Sequence, residues 1–101
     1  MGVDGGLWEV TGHGPPARMC LADPLQLAAF EHRSNSCTQS IIRSDGQSVV
    51  VSYRCSGGGF GQSEVFLLTP RSLQIDTQGI SGGEPYHYVL NARRVGDCPG
   101  H

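Results

Sequence analysis

The chain has 101 residues, among them 15 Gly, 6 Pro and 4 Cys, with 38% apolar and only 16% charged residues. That length carries one small domain with a thin core, and it excludes a TIM barrel, a dinucleotide-binding enzyme with a substrate domain, or an α/β-hydrolase. Seven basic residues, all Arg, stand against nine acidic ones, and the formal charge of −2 has no like-charge run behind it. Nucleic-acid and anionic-membrane partners, which need clustered cations, lose their footing, and no apolar stretch is long enough to cross a bilayer.

In chain order, Gly6 to Thr11 reads as a first strand, ended by the turn-forming run Gly12 to Pro16. A short second strand is predicted at Arg18 to Leu21. Asp23 before Pro24 is a helix-start signal, and Leu25, Leu27, Ala28, Ala29 and Phe30 carry a short helix to about His32. Leu21, Leu25 and Ala28 are expected on its apolar face. Five further strands follow, at Cys37 to Arg43, Ser48 to Ser56, Gln62 to Thr69, Ser72 to Gln78 and Tyr86 to Arg94. A three-residue turn at Pro70-Arg71-Ser72 sets Thr69, Leu67 and Val65 opposite Leu73, Ile75 and Thr77, and closing the Gly57–Gly61 loop symmetrically puts Val49, Val51 and Tyr53 on the same face. Val50, Phe66 and Leu68 point the other way, so the second face needs cover from the helix or from curling of the sheet. The fold class is α+β but mostly β: a curved antiparallel meander with one short N-terminal helix. One domain spans residues 5 to 98, with tails at 1–4 and 99–101.

The even cysteine count, without a short CxxC spacing, points to structural disulfides rather than a metal or thioredoxin-like centre. Four cysteines allow three connectivities. A three-residue loop at Asp45-Gly46-Gln47 puts Cys37 directly opposite Cys55 and leaves Cys20 for Cys98, although another turn type shifts that register by a residue or two. Loop-closure entropy makes the long link worth about 4.5 kcal/mol and the short one about 3 kcal/mol. Such bonds imply an oxidising compartment, periplasmic or secreted; Met1-Gly2 then reads as a start placed after a removed leader.

Several segments imitate catalytic motifs. Gly79-Ile80-Ser81-Gly82-Gly83 matches GxSxG, yet Ser81 lies between two predicted strands, whereas a nucleophile elbow needs a strand-to-helix turn and an ordered acid and His. Gly57 to Gly61 resembles a phosphate cradle but lacks GxGxxG spacing and the Walker Lys, and a strand follows. No carboxylate pair is spaced for acid/base work. Among binding candidates, Tyr86 and Tyr88 share a strand face and form, with Trp8, a potential aromatic platform. Arg54 and Phe60 flank the Gly-rich loop as a potential anion or ligand contact.

The opening Gly6-Leu7-Trp8-Glu9-Val10-Thr11, then Met19-Cys20-Leu21, the central Cys37 and Cys55, and the closing Arg93-Arg94-Val95-Gly96-Asp97-Cys98 resemble, in this order, the bacterial domain-of-unknown-function 3617 family. The resemblance spans about residues 5 to 98 and implies export and a disulfide-bonded domain, with no catalytic residues to carry over. The expectation is a non-enzymatic exported domain without cofactor or metal, monomeric or weakly dimeric, that binds a partner protein or small envelope ligand. The alternative is a small serine hydrolase using Ser81 with a His such as His87.

Overall fold

The computed structural model describes residues 4–32 and 36–99. Its elements are β1 (Gly6–Thr11), β2 (Ala17–Leu21), a 3₁₀ connector (Pro24–His32), β3 (Cys37–Ser44), β4 (Ser48–Cys55), β5 (Phe60–Thr69), β6 (Ser72–Ser81) and β7 (Glu84–Gly96). The strands form one antiparallel sheet in the order β2-β1-β7-β6-β5-β4-β3. β3 to β7 are the predicted meander. β7 then pairs with β1, so the first and last strands meet inside the sheet, one strand in from the β2 edge, and β2 and β3 are left as its edges.

The registers show where turn chemistry had the last word. Cys37 does lie opposite Cys55, but two irregularities cancel to place it there: Ser44 faces Val49 rather than Ser48, and a bulge between Ile41 and Arg43 restores the count. In the β5–β6 hairpin Leu67 faces Leu73 and Val65 faces Ile75, so the predicted register is two residues off, with Pro70-Arg71 as the loop. An even slip preserves which side chains face the core, and Val49, Val51, Tyr53, Val65, Leu73 and Ile75 are all buried. β6 and β7 run on past their predicted ends to a two-residue turn at Gly82-Gly83, where φ of +59° and +82° suits glycine at both central positions.

The β3–β4 turn is held by Asp45, whose Oδ1 accepts from the backbone N–H of Gln47 (3.0 Å) and Ser48 (2.8 Å). These donors, Gln47 first, hold its carboxyl below the usual aspartate value. A lowered pKa stabilises the fold above the unfolded value of 3.8, and that stability is lost as pH falls through the folded one. Asp45→Asn is therefore expected to have a lower urea midpoint than the parent near neutral pH. The gap should close on acidification; a gap that stays constant with pH would contradict this role for the charge.

The predicted helix is a 3₁₀ segment rather than an α-helix, with non-helical φ/ψ at Ala29. Asp23 begins it as expected, its Oδ1 accepting from the Leu25 N–H at 3.0 Å. This segment has to carry the chain from one sheet edge to the other. It does so as two short helical pieces that meet at a kink at Ala29. The period of three also changes the buried face: Pro24, Leu27 and Phe30 turn inward, joined by Ala28 and Ala29, while Leu25 is only partly buried.

The connector lies on the inner face of the sheet, against β4, β5 and β6. The core forms between them from Trp8, Val49, Val51, Val65, Ile75, Leu90 and the connector's Leu27, Ala28 and Phe30. The outer face carries no such layer. Val50 is nonetheless buried, Phe66 is half-buried and Leu68 stays 60% exposed, so the helix covers one face and the other is only locally shielded.

Both disulfides are formed, Cys37 to Cys55 across the β3–β4 ladder and Cys20 to Cys98 over a separation of 78 residues. The second reaches from β2 past β1 to the tail beyond β7, fastening the β1–β2 pair to the far end of the chain.

Candidate functional site

Three successive ladders align Tyr53 with Gly61, Gly61 with Gly79, and Gly79 with Tyr86. The result is a Tyr-Gly-Gly-Tyr row across the inner face of β4 to β7. The two tyrosines lean toward each other over the glycines and their hydroxyls hydrogen-bond. Glycine is required because a Cβ on Gly61 would meet the Tyr53 hydroxyl at 2.6 Å, and one on Gly79 the Tyr86 hydroxyl at 2.9 Å together with the Phe60 carbonyl. Gly79→Ala is accordingly expected to cost about 1–3 kcal/mol in a chemical-denaturation measurement. An unchanged midpoint would mean that the row is not packed as described.

The next row inward is polar. Tyr53 reaches Thr77 at 3.3 Å, Thr77 lies 2.7 Å from Ser63, and the Ser63 hydroxyl donates to the Ala28 carbonyl at 2.5 Å. This chain of hydroxyls ties the sheet to the connector. Burial pushes the Tyr53 phenol above its usual value, against the hydrogen bonds to Thr77 and Ser63. Tyr88 adds a second tie, its hydroxyl donating to Glu31 at 2.9 Å, with His13 stacked on its ring at 3.9 Å between centroids.

His32 ends the connector directly over this row, edge-on to both Tyr53 and Tyr86 at 5.7 and 5.9 Å between centroids. Its ring abuts Gly59, where any Cβ would collide with it. Gly59 of the Gly-rich turn thus makes room for an imidazole. His32 is 4% exposed, and its Nε2 has no hydrogen-bond partner among the described residues. A buried polar atom left unpaired costs about 1–3 kcal/mol.

His32 also lines a cavity of about 630 Å³, within the size range of small-molecule sites. Its walls come from β2 (Met19, Leu21), the connector (Leu27, Phe30) and β3 (Cys37, Gln39). In a flat seven-stranded sheet the edges would stand about 29 Å apart. Here both border one cavity, so the sheet bends round the connector and the cavity fills the gap between its two free edges.

The predicted binding residues fall in three places. Tyr86 and Tyr88 share the inner face as expected, with ring centroids 5.7 Å apart. Trp8 does not join them: it is completely buried, pairs opposite Arg94 near the other end of β7, and donates its indole N–H to the Asp4 carbonyl at 3.0 Å. Arg54 and Phe60 face each other across β4 and β5 on the outer surface. Phe60 borders a broad depression there of about 740 Å³, shared with Gln62, Gln78 and His87. Ser81 and His87 are not assembled into a dyad. Strand alternation puts them on opposite faces, the ladder positions are about 10 Å apart along β6, and His87 Nε2 lies 2.7 Å from Asp76 Oδ1 instead. Among the described residues no group of three or more His, Cys, Asp or Glu is placed to hold a metal ion, and no helix is long and apolar enough to cross a membrane.

His32, Tyr53, Ser63 and Thr77 were not singled out by sequence. The available signal was the pair Gly61 and Gly79 at inward-facing positions flanked by tyrosines, which becomes legible only in the correct register.

Fold and site together define a small disulfide-stapled domain, an open antiparallel sheet folded round a 3₁₀ connector with a cavity at its seam. The family model described as "Protein of unknown function (DUF3617)" matches residues 3–98, and the chain belongs to that family. No curated protein and no solved structure matches it.

Proposed function

We propose that this is an exported, non-enzymatic binding domain whose ligand seat is the cavity between β2 and β3. The observation that carries the reading is His32, buried at the cavity wall with an unpaired Nε2. A buried ring nitrogen without a partner among the described residues costs stability, and a seat that pairs it on binding recovers that cost. Export is supported by the two disulfides, which persist in oxidising compartments. The non-enzymatic part is supported by the separation of Ser81 from His87.

Two measurements test the reading on the oxidised protein. His32→Leu is expected to leave the urea midpoint unchanged or raise it, because it removes an unpaired polar atom. A loss above about 1 kcal/mol would mark His32 as a satisfied core residue and end the reading. The neutral fluorophore N-phenyl-1-naphthylamine is expected to bind saturably, and Gln39→Trp, an exposed substitution on the cavity rim, to weaken it about tenfold. Absence of saturable binding would contradict a formed cavity.

A further inference from the structure

We infer that the depression on the outer face of the sheet is a second binding site, and that it takes a neutral saccharide. It lies on the opposite side of the strands from the cavity and does not depend on it.

Strand register builds the site. Successive ladders set Phe60 opposite Ile80 and Ile80 opposite Pro85, and two residues further along they set Gln62 opposite Gln78 and Gln78 opposite His87. Both rows turn outward, since Gly61, Gly79 and Tyr86 between them take the inner face. The first row is apolar and open, with Phe60 50% exposed and Pro85 also exposed. The second consists of two exposed carboxamides and an imidazole whose Nε2 donates to Asp76 at 2.7 Å. Along the strands the rows lie about 7 Å apart, and across them each row spans about 10 Å. Those are the breadth of a hexose ring with its hydroxyls and the length of a disaccharide.

The chemistry of the rows selects the ligand. The C–H face of a pyranose is apolar and packs on an aromatic ring. A carboxamide offers N–H donors and a carbonyl acceptor, which match a hydroxyl that both donates and accepts. A smaller hollow of about 250 Å³ shares Gln62, Gln78 and His87 and has Glu64 and Asp76 in its walls, and these two carboxylates face each other across β5 and β6. Carboxylates only accept, so the surface calls for a ligand that donates, and an anion does not. Arg43 stands 3.8 Å from Glu64 and Arg54 opposite Phe60, so two guanidinium charges balance the two carboxylates and favour a neutral ligand. A wholly apolar molecule would leave the glutamine row unpaired. A peptide strand has no edge to join, because β5 and β6 are paired on both sides.

Backbone and side-chain amide shifts of the oxidised protein, followed during titration with cellobiose, maltose and N,N′-diacetylchitobiose, test the inference. At least one of these neutral disaccharides is expected to shift the side-chain amides of Gln62 and Gln78 saturably, with a Kd of about 1 mM, and to leave Met19 and His32 unmoved. Phe60→Ala and Gln78→Ala are each expected to weaken that binding about tenfold, and Phe60→Tyr, which keeps the ring face, to retain it. Absence of saturable shifts with all three sugars would overturn the inference. So would an affinity that Phe60→Ala leaves unchanged, or shifts confined to the cavity on the other face. An equal response to tetramethylammonium or acetate would also overturn it, because the site would then recognise charge rather than hydroxyls.

Discussion

Removing the Cys20–Cys98 disulfide, as Cys20→Ala with Cys98→Ala, is expected to lower the free energy of unfolding by about 4.5 kcal/mol, the loop-closure value for a separation of 78 residues. The physical reason lies in the order of the strands. β1 and β7 pair inside the sheet although they come from opposite ends of the chain, so without the cross-link the unfolded chain must close almost its whole length to form that ladder. The bond ties β2 to the tail beyond β7 across β1, and keeps all three near one another in the unfolded state. Against a total stability of about 5–15 kcal/mol for a domain, such a loss removes a large part of the fold. Equilibrium urea unfolding of the double variant measures it. A loss under about 1 kcal/mol would show that the core alone holds the sheet. The Cys37–Cys55 bond, with a separation of 18 residues, should be worth less, about 3 kcal/mol.

Trp8→Ala is expected to cost about 3–5 kcal/mol, the range for emptying a buried aromatic site. Trp8 is completely buried beside Val10 and Leu21, and its indole donates to the Asp4 carbonyl. The substitution loses apolar burial and a hydrogen bond and leaves a cavity. Trp8→Phe should recover most of the loss, because it restores the ring volume without the N–H. The measurement is again the urea midpoint. A Trp8→Ala protein of unchanged stability with altered ligand binding would put Trp8 back in a recognition surface, where the aromatic platform of the sequence reading had it.

The sheet was legible because β-strands carry their signal in a period of two, and a slip of two residues does no harm to it. The β5–β6 hairpin is misregistered in just that way, yet Val65, Leu67, Leu73 and Ile75 retain the faces assigned to them. The Cys37–Cys55 pairing came out for a different reason, since the bulge near Ile42 cancels a one-residue shift at the turn. What sequence did not yield depends on distance across the sheet. The pairing of β7 with β1 joins segments about eighty residues apart in the chain, and no local pattern announces it. The connector reads as an α-helix because Asp-Pro and apolar spacing start one, while its 3₁₀ form and its kink at Ala29 have no signal in that spacing. His32 is the clearest case. At the end of a short helix it carries no motif, and its meaning comes only from the Tyr-Gly-Gly-Tyr row beneath it and the unpaired edges on either side.

The central claim is that the seam between β2 and β3 is where this domain binds. Amide and side-chain chemical shifts of the oxidised protein, followed during titration with N-phenyl-1-naphthylamine, test it most directly. The account predicts shifts concentrated on Met19, Leu21, Phe30, His32 and Gln39, with Arg54, Phe60 and Ile80 on the outer face unmoved. Shifts confined to that outer surface, with His32 silent, would contradict it and move the binding site to the other side of the sheet.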